Sequence, residues 1–81
     1  MTEMQVAQLV DTRGMLCPMP IVLANKAMKT LTPGDVLKIL ATDKGSLQDF
    51  PAWAEDTGHE LISTGEEGDV FVFLIRKGDD D

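Results

Sequence analysis

The stretch Val70-Phe71-Val72-Phe73-Leu74-Ile75 decides the fold. It is the longest apolar run in the chain, far short of the roughly 18–20 residues of a membrane helix, and its length suits one strand. Side chains along a strand alternate between two faces, so this strand is apolar on both. A strand of that kind belongs inside a sheet, because at an edge it would invite pairing with other chains.

The remaining elements are read outward from it. Gln5 to Asp11 reads as a first strand, and Thr12 to Leu16 as a loop hinged at Gly14. Pro18 to Leu31 reads as a helix, with Ile21, Ala24, Met28 and Leu31 on one face and Pro33-Gly34 as its stop. Asp35 to Ala41 is a second strand. A second helix runs from Ser46, read as its N-cap with Asp49 three places on, to about Asp56, and its apolar face is Leu47, Phe50, Trp53 and Ala54. Pro51 inside it implies either a kink or a later start to its regular part. Gly58 suits the C-terminal cap, Glu60 to Thr64 the third strand, Gly65 to Asp69 a hairpin loop, and Val70 to Lys77 the fourth strand.

The order βαβαββ predicts an α+β two-layer sandwich, with both helices on one face of a mixed four-stranded sheet. Placing the apolar fourth strand inside gives the order 1-2-4-3, with strand four antiparallel. The alternative, 1-2-3-4, leaves the stickiest strand at the edge. Either way the residues of strand four that face away from the helices form an apolar surface, which is a contact patch or is shielded by the tail and its neighbours.

The chain has 81 residues, enough for one domain, read over 1–81 with Gly78 to Asp81 as a frayed acidic tail. Seven basic residues face fourteen acidic ones, for a net charge of −7. That argues against binding nucleic acid directly or docking on an anionic membrane, and for a partner with a basic surface. The first residues, Met1 to Gln5, show neither the basic nor the apolar region of a signal peptide, so the cytoplasm is the expected compartment.

The chemistry concentrates in Cys17-Pro18-Met19-Pro20. Prolines suit the first turn of a helix, so Pro18 is read as the first helical residue, Pro20 as the third and Cys17 as the N-cap. A helix N-terminus carries partial positive charge and lowers a thiol's pKa. The Met19 amide is the nearest donor, and Arg13 and Lys44 lie in loops at the same sheet edge, so the sulfur is expected in a locally positive field. The bland alternative, a buried small hydrophobe, is common for a free cysteine; the proline-flanked cap argues for an outward sulfur. No second cysteine can resolve a disulfide, and no Cys-rich zinc site is possible. His59 begins strand three and falls at the opposite edge, so it is no base for Cys17. Asp11, Asp43 and Asp49 could hold a metal, but anchoring loops and capping helices are the commoner roles; no metal and no cofactor are expected. Phe50 and Trp53 read as core. Arg76 and Lys77 read as solvated cations or a recognition element. What remains for Cys17 is to receive a group and hand it on.

At this point Asp11-Thr-Arg-Gly14-Met-Leu-Cys17-Pro18-Met-Pro20 resembles the Cys-Pro-x-Pro signature of TusA-type, or SirA-like, sulfur carriers. The resemblance continues through Pro33-Gly34, Ala41-Thr-Asp43, Asp49-Phe-Pro51-Ala-Trp53, Gly58-His-Glu-Leu61 and Ile75-Arg76-Lys77; Met15 stands where the family often has Leu. It implies that Cys17 accepts sulfane sulfur as a persulfide, supported by Arg13, Gly14, Pro18, Met19 and Pro20. The donor would be a cysteine desulfurase or rhodanese-like protein. An acceptor protein would then serve tRNA thiolation, cofactor sulfuration or sulfur oxidation. Two rival readings use other chemistry: a single-cysteine thiol redox protein, and a non-catalytic interaction module acting through the open sheet face.

Overall fold

The computed structural model describes residues 6–16 and 18–78. Six elements follow in order: β1 (Gln8–Thr12), α1 (Met19–Met28), β2 (Val36–Ala41), α2 (Ser46–Thr57), β3 (Glu60–Glu67) and β4 (Val70–Arg76). The sheet order is β1-β2-β4-β3, with β1 parallel to β2 and β4 antiparallel to both its neighbours. The apolar strand is therefore internal, as its sequence requires.

Register shows which side chains share a face. Val10, Ile39 and Phe73 form one row across β1, β2 and β4, and Leu37 pairs with Ile75 and Ala41 with Phe71. All of these are buried, together with Ala24, Ala27 and Met28 of α1 and Phe50, Trp53 and Ala54 of α2. One core thus lies between one sheet face and both helices. Phe50 sits at its centre, 4.8 Å from Phe73 and 6.0 Å edge-on to Trp53 between ring centroids. On the opposite face, Val70, Val72 and Leu74 of β4 are half-buried, so neighbouring strands cover much of the apolar surface expected there.

Several boundaries differ from the sequence reading for local reasons. β1 continues through Thr12, whose buried hydroxyl donates to the Leu40 carbonyl at 2.6 Å; Gln5 lies outside the described residues. α1 stops at Met28, and Lys29 to Leu31 continue as tighter turns, with Thr30 N–H donating to Ala27 O and Leu31 N–H to Met28 O. Two threonines and the approach to Pro33 weaken a longer helix there. β3 runs on to Glu67, leaving only Gly68 and Asp69 to turn the hairpin. Gly68 has φ +62, as the first position of a two-residue hairpin turn needs. A bulge between Leu61 and Ser63 keeps Leu61 against the core while the rest of β3 turns polar.

Ser46 is the first residue of α2 and not its cap. Gly45 takes that place, and the N–H groups of Ser46, Leu47, Gln48 and Asp49 donate to the carbonyls of Asp43, Lys44 and Gly45. The backbone satisfies its own first turn, so no capping side chain is used. The helix passes through Pro51, and Leu47 points outward at 42% exposure instead of joining the core. Gly78 is not part of a frayed tail: it is half-buried, and its N–H donates to His59 Nδ1 at 3.0 Å. Asp79 to Asp81 lie outside the described residues.

Candidate functional site

The parallel strands β1 and β2 end at one edge of the sheet, and both helices begin there. The loop leaving β1 is built by short-range hydrogen bonds. Met15 N–H donates to Thr12 O at 3.1 Å, closing a turn whose third residue, Gly14, has φ +83. A turn of this type requires the left-handed region at that position, which is why a glycine stands there. Gly14 N–H donates to Thr42 Oγ1 at 2.9 Å, tying the loop to the end of β2.

Asp11 anchors the same loop. Its carboxylate accepts from the Arg13 backbone N–H at 3.1 Å and from the guanidinium at 2.9 and 2.8 Å. These hydrogen bonds, the side-chain ones foremost, favour the ionised form and hold the carboxyl at about 2. The same contact raises the Arg13 pKa. Arg13 is therefore a loop brace whose charge is matched by Asp11, and Asp11 is a loop anchor.

Cys17 itself lies outside the described residues; its neighbours on both sides are described. Leu16 is 74% exposed, and Pro18 and Met19 are also exposed. The N-cap of α1 is Pro18, one residue later than the sequence reading placed it, and Pro20 is the second helical residue, buried beneath the start of the helix. Val22 N–H donates to Pro18 O at 3.1 Å, the first full helical bond. The Met19 amide, expected to be available as a donor, is engaged by Leu16 O at 3.0 Å. The expected surplus of basic side chains is not found among the described residues at this edge. Arg13 is matched by Asp11, and Asp43, Asp49, Glu66, Glu67 and Asp69 outweigh Lys44 there. The N-terminal end of α1, ten residues long and with no acidic residue in its first turn, presents the positive end of the helix dipole at this edge.

His59 is at the far edge, beside the start of β3. It accepts from Gly78 N–H, and its ring packs 5.3 Å from Trp53. Arg76 pairs with Glu60 at 2.9 Å, and Lys77 Nζ donates to Leu31 O at 2.7 Å, so both cations have partners inside the fold. Among the described residues no group of three His, Cys, Asp or Glu side chains could hold a metal ion. The sequence reading missed the exposed apolar side chains around this loop: Met15, Leu16, Met19, Val22 and Leu47. The available signal was Met15-Leu16 in a loop and Val22 off the face shared by Ile21, Ala24 and Met28.

Comparison with known proteins places this arrangement. The family model of sulfurtransferase TusA matches residues 8–77. The chain is 47% identical over 70 residues to the sulfur carrier protein TusA of Allochromatium vinosum, covering 86% of this chain and 92% of that protein. It is 49% identical over 75 residues to the putative sulfur carrier protein YrkF of Bacillus subtilis, covering 93% of this chain but only 40% of that longer protein. The crystal structure of a SirA-like protein from Desulfitobacterium hafniense superposes with a TM-score of 0.78 at 27% identity, over 89% of this chain and 99% of that one. A strand order, a proline-bounded helix start and a family match over nearly the whole chain agree: the chain belongs to the sulfurtransferase TusA family.

Proposed function

We propose that this chain is a single-domain sulfur carrier of the cytoplasm, taking up sulfane sulfur as a persulfide on Cys17 and passing it to an acceptor protein. The observation that carries the reading is the placement of its flanking residues. Cys17 stands in sequence between an exposed Leu16 and the exposed Pro18 that caps α1. Relatives named as sulfur carriers support the same role. Among the described residues no helix is long and apolar enough to cross a membrane.

The chemistry needs a thiolate and an approachable sulfur. The Cys17 thiolate attacks the outer sulfur of a donor persulfide. A new S–S bond forms as the donor's S–S bond breaks, the donor's inner sulfur leaves as a thiolate, and the proton on the transferred sulfur travels with it. No external oxidant or reductant is required, because the sulfane sulfur changes hands without a net change of state. Delivery repeats the exchange, with an acceptor thiolate attacking the outer sulfur of the Cys17 persulfide and Cys17 leaving as the thiolate. The helix N-terminus stabilises the anion in both directions. Gly14 and the Asp11–Arg13 brace hold the loop, and Pro20 seats the helix start.

The test is intact-protein mass spectrometry after incubation with a cysteine desulfurase and L-cysteine. The wild-type chain should gain one sulfur atom, which a reducing thiol removes. Cys17→Ser should fold with an unchanged unfolding midpoint and gain none. Wild-type protein that takes up sulfur neither from the desulfurase nor from inorganic polysulfide, or a Cys17→Ser variant that still takes up sulfur, would refute the proposal.

A further inference from the structure

The two flanking strands of the sheet are built differently. β3 has a bulge between Leu61 and Ser63 and ends in Gly65, Glu66 and Glu67, features that discourage pairing with another chain. β1, on the other flank, pairs with β2 alone and keeps a regular register from Gln8 to Thr12. Every second backbone N–H and C=O of such a strand points away from its neighbour, and no other strand meets them among the described residues. Leu9 stands on this flank at 54% exposure. α1 runs alongside, and its Leu23, Lys26 and Ala27, with Thr30 just beyond, fall at helical spacing along one stripe. Strand and stripe line a groove of about 350 Å³ whose apolar floor is Leu9, Val10, Leu23 and Ala27. Thr30 Oγ1, 3.2 Å from Gln8 Oε1, joins the two walls at one end. The loop that bears Cys17 lies beyond the other end.

An open strand flanked by a helix suits an extended chain, which adds a strand to the sheet and lays alternate side chains against the helix. Charge narrows the choice further. α1 carries Lys26 and no acidic residue, and Lys26 pairs with no carboxylate among the described residues. A second copy pairing β1 with β1 about a two-fold axis would set one Lys26 towards the other and bring together two chains of net charge −7. We propose that the groove between β1 and α1 binds an extended segment of another protein. That segment continues the sheet beyond β1, sets apolar side chains against Leu9 on one face and Leu23 on the other, and carries a carboxylate opposite Lys26. The site does not use Cys17, so a partner held there leaves the cysteine-bearing end open.

The probes are two fluorescein-labelled octapeptides rich in valine and threonine, one with a central glutamate and one with a central lysine. Titrated into the isotopically labelled chain, the glutamate peptide should shift amide NMR signals of β1 and α1 and slow hydrogen exchange at alternate β1 amides. The same peptide methylated on its backbone nitrogens should bind at least about tenfold more weakly, because it cannot join the ladder. In fluorescence polarisation at low ionic strength, Lys26→Glu should weaken the glutamate peptide by about tenfold and strengthen the lysine peptide, with both effects shrinking as salt rises. Circular dichroism and urea unfolding confirm that the variant is folded. No binding at millimolar peptide, shifts confined to other parts of the fold, equal binding of the methylated peptide, or no exchange of preference in Lys26→Glu would each overturn the proposal. So would sedimentation equilibrium showing a dimer whose β1 amides are protected without peptide, since the groove would then belong to a second copy. None of these outcomes bears on sulfur uptake at Cys17.

Discussion

Two glycines of this fold are required for different reasons, and replacing each by alanine separates the reasons quantitatively. Gly14 has φ +83, yet a Cβ built on it meets nothing among the described residues within 4 Å. The cost of Gly14→Ala is therefore conformational. Holding an L-residue in the left-handed region costs roughly 1–2 kcal/mol, offset in part by the smaller entropy of the unfolded alanine chain, leaving about 1 kcal/mol. Gly78 is the opposite case. A Cβ there runs into the Gly58 carbonyl, part of the backbone that caps α2, and neither segment can yield without loosening the Gly78 N–H to His59 Nδ1 bond. Crowding of this kind together with a weakened hydrogen bond gives about 2–3 kcal/mol. The whole domain is worth only about 4–12 kcal/mol at its size, so both changes are measurable. Urea unfolding followed by Trp53 fluorescence is the assay. With a slope of about 1 kcal/mol per molar for a small domain, the midpoint should fall by about 1 M for Gly14→Ala and at least twice that for Gly78→Ala. Equal losses, or the reverse order, would refute the distinction between conformational and steric cost. An unchanged Gly14→Ala midpoint would show that the loop does not hold that residue left-handed.

Two further outcomes are expected. Asp11 should titrate at about 2, below its usual 3.8, because its ionised form accepts from Arg13. Since the folded-state value is depressed, the brace contributes fully above about pH 4 and is lost as pH falls through 2; a carboxyl NMR titration centred near 3.8 would contradict the brace. Ser46 is fully buried and its Oγ has no hydrogen-bond partner among the described residues. Ser46→Ala should therefore leave stability unchanged or raise it by up to about 1 kcal/mol in thermal unfolding, whereas a loss larger than that would mean the hydroxyl is paired.

The elements and their connection were legible in the residues. Val70 to Ile75 is apolar at every position, so only an internal strand buries both of its faces, and with the connections βαβαββ that requirement favours β1-β2-β4-β3 over β1-β2-β3-β4. Gly14 and Gly58 mark positions that need positive φ, and both have it. Cys17-Pro18-Met19-Pro20 announces a helix start because prolines fit where no intrahelical donor is needed. These are local properties of a chain, fixed by stereochemistry and by the period of apolar residues.

What the tertiary structure decided depends on neighbours distant in sequence. The α2 cap moved from Ser46 to Gly45 because the carbonyls of Asp43, Lys44 and Gly45 satisfy the first amides, leaving the serine hydroxyl buried. Leu47 fits a helical apolar face on paper, yet it stands outside the contact between α2 and the sheet. Gly78 acquired a role because His59, nineteen residues earlier, came to lie beside it. The charge of Arg13 is matched because Asp11, two residues earlier, turns its carboxylate onto the guanidinium, and the antiparallel pairing of β3 with β4 sets Glu66 and Glu67 at the same edge of the sheet. Local pattern specifies which segments become helix or strand; the surroundings of each charge and each exposed side chain follow only from how those segments meet in space.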